Sequence, residues 1–207
     1  MFRDRTDAGE QLAAHLQERG VEADIVLAIP RGGLPLGRAV ADAFGAPLDV
    51  VVARKLGAPT NEELAIGAVA SDGAVWLNDE LVDELGVSED YVAAERERAA
   101  SAAREKRDRY RGDHTPTIEG QRVLLVDDGV ATGATTRACL RQLRDLGAAH
   151  VVLAVPVAPA DVLDDLAAEA DEAIALQTPD PFRAVGYHYE QFGQVTDEEA
   201  IAYLPER

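Results

Sequence analysis

Short apolar runs alternate along this chain with stretches in which apolar residues recur every three or four positions. Ile25-Val26-Leu27-Ala28-Ile29 and Val123-Leu124-Leu125-Val126 contain no polar member. A strand with one wet face would alternate, so these runs predict strands buried on both faces, the pattern of a parallel sheet. Further strands are expected at Leu48 to Ala53, at 150–155 and at 173–176. Helical patterns lie between them. Asp7 to Arg19 sets Leu12 and Leu16 four apart and stops at Gly20, a second helix runs from Pro35 to Phe44, and others occupy 134–146 and 159–169. The longest covers 88–111, opened by Ser88 and dense in Glu, Arg and Ala, and its charges read as a solvated helix face. Strand and helix in alternation predict an α/β chain of βα units. Two segments interrupt the alternation. Residues 65–70 and 74–77 flank Ser71-Asp72-Gly73 and read as a β-hairpin, while Ala58-Pro59-Thr60-Asn61-Glu62-Glu63 is rich in turn formers and reads as a mobile loop. With no repeat, low-complexity tract or linker, residues 1–207 are expected to form a single domain.

Composition narrows the partners. The 207 residues are 47% hydrophobic, ample for a core, and carry 38 acidic against 20 basic side chains, a formal net charge of -18. A surface of that sign repels nucleic acid and anionic membranes, so neither is an expected partner. No apolar stretch approaches bilayer-spanning length, and MFRDRTDAGEQ places charges where a secretory signal would be hydrophobic; the expectation is a soluble, cytoplasmic chain. Cys139 is the only cysteine, which leaves no internal disulfide or thiolate-rich metal site, and it reads as a small buried hydrophobe on a helix. His15, His114, His150 and His188 are scattered and suggest no metal centre. Only Lys55 and Lys106 are lysines, an acid-rich, lysine-poor balance that resembles the proteins of salt-loving microbes. Physically it predicts self-repulsion that added salt relieves.

The segment richest in chemistry is Val123-Leu-Leu-Val-Asp127-Asp128-Gly129-Val130-Ala131-Thr132-Gly133-Ala134-Thr135-Thr136. An apolar strand delivers two carboxylates to its C-terminal end, where open α/β sheets bind ligands. The glycines and threonines that follow turn the chain into a helix, whose unpaired N–H groups and positive dipole end, with hydroxyls from Thr132, Thr135 and Thr136, suit a phosphate monoester. Carboxylates would repel that phosphate, so they call for a neutral hydrogen-bonding neighbour, and a ribose diol fits. Acid pair and phosphate cradle together point to a 5-phosphoribosyl group. Other glycine-rich loops fit poorly: Ala134 follows Gly133 where a Walker A loop needs Lys, and the three spaced glycines of a dinucleotide fingerprint are missing.

VLLVDDGVATGATT resembles the signature of the type I phosphoribosyltransferases, enzymes that use 5-phosphoribosyl 1-diphosphate (PRPP). The resemblance extends to IPRGG at 29–33 and to VARKLGAPTNEELAIGAVA at 52–70, similar to a group of bacterial and archaeal members without an assigned substrate. It covers the chain from Val26 to Val155. It implies a Rossmann-like fold with a mainly parallel five-stranded central sheet flanked by helices, a β-hairpin flap, and a small hood from 1–19 and 179–207 on a core of about 20–178. Asp127 and Asp128 would hold the ribose hydroxyls, and Ala131, Thr132, Gly133, Ala134 and Thr135 would wrap the 5′-phosphate. Arg31 and Gly32 stand in the diphosphate loop, which in this family often contains a non-proline cis peptide. Arg54 and Lys55 open the flexible loop that adds positive charge to the leaving diphosphate. Magnesium is the implied cofactor, held mainly through substrate oxygens, with no direct protein ligand beyond contact with Asp127 or Asp128 through water.

The resemblance implies transfer of the phosphoribosyl group from PRPP to a small-molecule acceptor, a nitrogen base by expectation, with a homodimer as the assembly it allows. Such a reaction puts positive charge on the ribose and negative charge on the leaving group, so catalysis is mostly electrostatic positioning and exclusion of water. The 6-oxopurine enzymes carry an aspartate in the phosphate loop where this chain has Ala131, and a methyl group performs no acid–base chemistry, which argues against those bases. Acceptor recognition falls to the hood, whose tail holds Phe182, Tyr187, Tyr189 and Phe192. Phe182 and Tyr187 are candidates to stack on a planar ring; the same aromatic tail reads equally as an anchor on the sheet edge. The competing functions are a regulator that binds PRPP or a nucleotide without turnover and a hydrolase of phosphoribosyl compounds, the latter lacking a nucleophile–base pair.

Overall fold

The computed structural model describes residues 1–112 and 115–205, so His114 lies outside the described residues. The chain divides into two compact units, one made of Met1–Val50, Pro116–Thr132 and the residues from Gly147 on, the other of Val51–Thr115 and Gly133–Leu146.

The first unit contains the expected five-stranded parallel sheet. Its strands are β1 (Ile25–Ala28), β2 (Leu48–Val50), β6 (Arg122–Val126), β7 (His150–Val157) and β8 (Glu172–Gln177), in the order β2-β1-β6-β7-β8. All four residues of β1 and the four apolar residues of β6 are buried, as their uninterrupted hydrophobicity requires. From β1 the chain passes through α2 (Gly33–Phe44) to β2 on one side, and it later re-enters on the other side as β6. The direction of progression therefore reverses between β1 and β6, the place where open α/β sheets leave a crevice beyond the strand ends. Ala28 lies opposite Val126, so the residues after the two strands emerge side by side.

Helix α1 (Arg5–Glu18) packs on α2 and starts at Asp4, whose side chain accepts from Asp7 N at 2.8 Å. Helix α6 (Ala160–Ala167) lies against β8. The tail contributes a single 3-10 turn at Val185–His188 and the short helix α7 (Asp197–Ile201), which opens with a capping box between Thr196 and Glu199. The N-terminal residues and this tail are joined by backbone: Phe2 N donates to His188 O at 2.8 Å, Glu190 N to Phe2 O at 2.8 Å, and Gln191 N to Arg3 O at 2.9 Å.

The second unit is built on an antiparallel sheet of β3 (Ala53–Ala58), β4 (Asn61–Ala70) and β5 (Val75–Leu77). With it go α3 (Asp79–Glu84), α4 (Glu89–Arg111) and α5 (Ala134–Asp145). Leu56, Ala58, Ile66, Val69, Ala99 and Ala100 form its core. The hairpin around Ser71-Asp72-Gly73 and the Ser88 cap of α4 are present as expected, and Cys139 is buried on α5. Two expectations are corrected. The strand expected through Ala53 stops at Val50, and a new antiparallel strand begins at Ala53. The segment 58–63, expected as a loop, is a tight hairpin in which Ala58 pairs with Asn61 and only Pro59 and Thr60 turn. Leu56 and Ile66 are both buried, which holds the two strands together around a register shift at Gly57. Helix α3 was not expected; Asn78 caps it by accepting from Leu81 N at 3.1 Å. Among the described residues no helix is long and apolar enough to cross a membrane.

Candidate functional site

At the C-terminal ends of β1 and β6 the two loops meet closely. The Pro30–Arg31 peptide is cis, as the resemblance implied for this loop. Gly32 and Gly33 leave no room for side chains: a Cβ on Gly32 would stand 2.0 Å from Asp128 Oδ2, and one on Gly33 would stand 3.0 Å from Val126 O. The Asp128 carboxylate thus rests on the Gly32 backbone, while Gly33 faces Val126 O and Asp127, so each glycine of IPRGG marks a close approach of the two loops. Asp127 Oδ1 accepts from Asp128 N at 2.8 Å, which turns the chain sharply after the strand. Val130 N then donates to Val157 O at 2.9 Å, so the turn stays tied to the sheet.

Asp128 forms a buried ion pair with Arg5, whose Nε donates to Oδ2 at 2.7 Å; the two side chains are 12% and 14% exposed. Arg5 Nη1 donates to Gly193 O at 2.8 Å, and its guanidinium lies 3.9 Å from the centre of the Phe192 ring. Tyr189 donates its hydroxyl to Asp128 O at 2.6 Å and packs against both Phe192 and Phe2. Burial pushes the Asp128 carboxyl above its ordinary pKa, and the Arg5 charge opposes that push. Burial also raises the Tyr189 phenol, and the Asp128 charge adds to it, so Tyr189 stays a neutral donor.

Arg31 is about half exposed and sits 4.0 Å from Asp197 at the start of α7. Phe182 stacks on His188, with centroids 5.8 Å apart, and Tyr187 is 65% exposed beside Arg183. The rings that meet the Asp128–Arg5 pair are Tyr189 and Phe192. Sequence reasoning noted both as part of the aromatic tail, but it missed Arg5. No local spacing could have marked Arg5, because 123 positions separate it from Asp128. A cavity of about 640 Å³ opens between the start of α1 and the tail, lined by Asp4, Arg5, Gln191, Gln194, Glu199 and Tyr203 among others.

Ala131 and Thr132 are exposed at the end of the first unit's loop. In the second unit Gly133 opens α5 with φ 76°, a left-handed conformation suited to glycine, and α5 has no side-chain cap on its first N–H groups. Ala134 is buried and Thr135 half-buried there. Arg54 and Lys55 are consecutive exposed residues of β3, so they project to opposite faces of the hairpin. Lys55 Nζ bonds Glu63 Oε2 at 2.7 Å on the neighbouring strand. Among the described residues no cluster of three or more His, Cys, Asp or Glu side chains is placed to hold a metal.

A family model, the phosphoribosyl transferase domain, matches residues 3–191. The chain belongs to the phosphoribosyltransferase family. It is 43% identical over 205 residues to the Mycobacterium tuberculosis protein named "Putative phosphoribosyl transferase Rv0571c", covering 99% of this chain and 46% of that protein. The chain therefore spans about half the length of this curated relative. It is 33% identical over 144 residues to the "Bifunctional protein PyrR" of Ralstonia nicotianae, covering 60% of this chain and 77% of that protein. A crystal structure of TT1426 from Thermus thermophilus superposes with a TM-score of 0.83 at 42% identity, covering 99% of this chain and 97% of that one. The family and the phosphoribosyltransferase fold are thus common ground between sequence, structure and relatives.

Proposed function

We propose that this phosphoribosyltransferase-family chain transfers the 5-phosphoribosyl group of PRPP to a small nitrogen-bearing acceptor and releases diphosphate. The observation that carries the reading is the pair Asp127 and Asp128 at the reversal between β1 and β6, with Arg31 and Gly32 emerging beside them. Asp127 and Asp128 accept hydrogen bonds from the ribose hydroxyls. Ala131, Thr132, Gly133, Ala134 and Thr135 receive the 5′-phosphate, with support from the uncapped start of α5. The Arg31 guanidinium and the main chain at Gly32 take the diphosphate, and Arg54 and Lys55 add positive charge to it.

In the reaction the bond from ribose C1 to the diphosphate oxygen breaks, its electron pair leaves with diphosphate, and the acceptor nitrogen's lone pair forms the new bond to C1 as the nitrogen gives up its proton to water. The adjacent carboxylates of Asp127 and Asp128 at the end of β6 suit magnesium, an ion that keeps its waters and takes one or two carboxylates plus substrate oxygens, and they would hold it through water. When bound, magnesium neutralises charge on the diphosphate. The chain's own residues hold the sugar in line for attack. The cavity of about 640 Å³ at the start of α1 is large enough for the acceptor, and its Gln191 and Gln194 amides can read hydrogen-bonding edges.

The reading is tested by incubating the protein with PRPP, magnesium and a panel of nitrogen bases, and measuring diphosphate and new nucleotide. Turnover on any acceptor supports transfer. Tight PRPP binding with no turnover on the whole panel favours a regulator, and no PRPP binding overturns the reading.

A further inference from the structure

We propose that Arg5 is a positioning residue for the sugar-binding carboxylate of Asp128, locking one carboxylate oxygen so that the other is presented to a ribose hydroxyl. The inference rests on the function proposed above. Its basis is a closed circuit of contacts. Asp128 Oδ2 accepts from Arg5 Nε, the Arg5 guanidinium lies on Phe192, Phe192 packs on Tyr189 with centroids 5.0 Å apart, and Tyr189 donates back to the backbone oxygen of Asp128. A guanidinium is a rigid planar fork, and here the fork is fixed at Gly193 O as well as at the carboxylate. On the opposite side the carboxylate rests on the Gly32 main chain, so rotation about its side-chain torsions is blocked from both directions. The contacts that fix Arg5 come from the tail, and the tail is held by backbone hydrogen bonds to Phe2 and Arg3, so both ends of the described chain serve one carboxylate. The two side chains are only 12% and 14% exposed, and Gly193, Phe192, Tyr189 and Gly32 each contact one partner or the other.

The test compares binding of ribose 5-phosphate with its 2-deoxy and 3-deoxy analogues by calorimetry, in the wild-type chain, Arg5→Met and Arg5→Lys. The wild type is expected to favour ribose 5-phosphate over at least one deoxy analogue by about tenfold, the scale of one charge-assisted hydrogen bond. Arg5→Met should shrink that preference to about threefold or less, and Arg5→Lys should restore part of it. A purely structural role for Arg5 would weaken all three ligands alike and leave the preference intact, which overturns the proposal. Tighter binding of all three by Arg5→Met, the behaviour of a latch that the sugar must displace, overturns it too. If the wild type binds none of them, the function proposed above fails and this inference falls with it; an unchanged preference in Arg5→Met sinks the inference alone.

Discussion

Replacing Gly32 by Ala sets two effects of opposite sign against each other. Gly32 has φ -59° and ψ -34°, a conformation that alanine adopts without strain, so the loss of unfolded-state freedom alone would stabilise the protein by about 0.4–1 kcal/mol. The new methyl, however, would stand 2.0 Å from Asp128 Oδ2 and 2.6 Å from Asp128 Cγ. To restore a tolerable contact the carboxylate must retreat by about 1 Å, and overpacking of this kind costs about 1–3 kcal/mol. Retreat also disturbs the 2.7 Å contact to Arg5, a largely buried ion pair whose loss leaves two poorly solvated charges. The steric and electrostatic costs exceed the entropic gain, so we expect Gly32→Ala to lower the thermal midpoint, by about 2–4 °C for each kcal/mol lost. Displacement of Asp128 should weaken ribose 5-phosphate binding by about tenfold or more. Thermal unfolding followed by circular dichroism, with calorimetric titration, gives both numbers. A variant as stable as the wild type, with unaltered sugar-phosphate affinity, would refute the close packing of Asp128 on the loop at Gly32.

Lys55→Ala should reduce kcat more than it weakens PRPP binding, and equal losses in both would argue against a role on the leaving group. Glu63→Gln, which frees Lys55 from an exposed pair, should change stability by less than about 0.5 kcal/mol in denaturant titration. Asp24 is bonded by Arg122 through its side chain and its N–H, and these hold its pKa at about 2, below the ordinary 3.8. Because the folded value lies below the unfolded one, the pair's contribution is present above about pH 4 and is lost as pH falls toward 2. The thermal midpoints of wild type and Asp24→Asn should therefore converge across that window, and a gap that stays constant would contradict the assignment. With a formal net charge of -18, the thermal midpoint should rise with sodium chloride through the first few hundred millimolar, and a flat response would show that self-repulsion is unimportant.

The elements that could be read from residues alone are those whose signal is local. The polar-free runs of β1 and β6, the Ser88 cap of α4 and the helix that buries Cys139 each rest on a periodicity or a single side chain. The hairpin of β3 and β4 was missed because residues 61–64 are exposed one after another, so the alternation that marks a strand is absent, and turn-forming Pro59 and Thr60 dominate the composition. The acid pair was legible because Asp127 and Asp128 directly follow an apolar strand. The means by which Asp128 is held was not. Arg5, Phe192 and Tyr189 come to it from far along the chain, through pairings that no spacing encodes. The resemblance supplied the cis peptide at Pro30–Arg31, which composition and spacing alone did not indicate.

The central claim is that Asp127 and Asp128 grip the hydroxyls of a ribose 5-phosphate whose phosphate lies on the loop that follows. A crystal structure of the protein with ribose 5-phosphate tests it most directly. The account predicts sugar hydroxyls within hydrogen-bond distance, about 2.5–3.0 Å, of both carboxylates, and phosphate oxygens on main-chain N–H groups between Ala131 and Thr135. Sugar density elsewhere, or carboxylates of Asp127 and Asp128 that both turn away from the bound ligand, would contradict it.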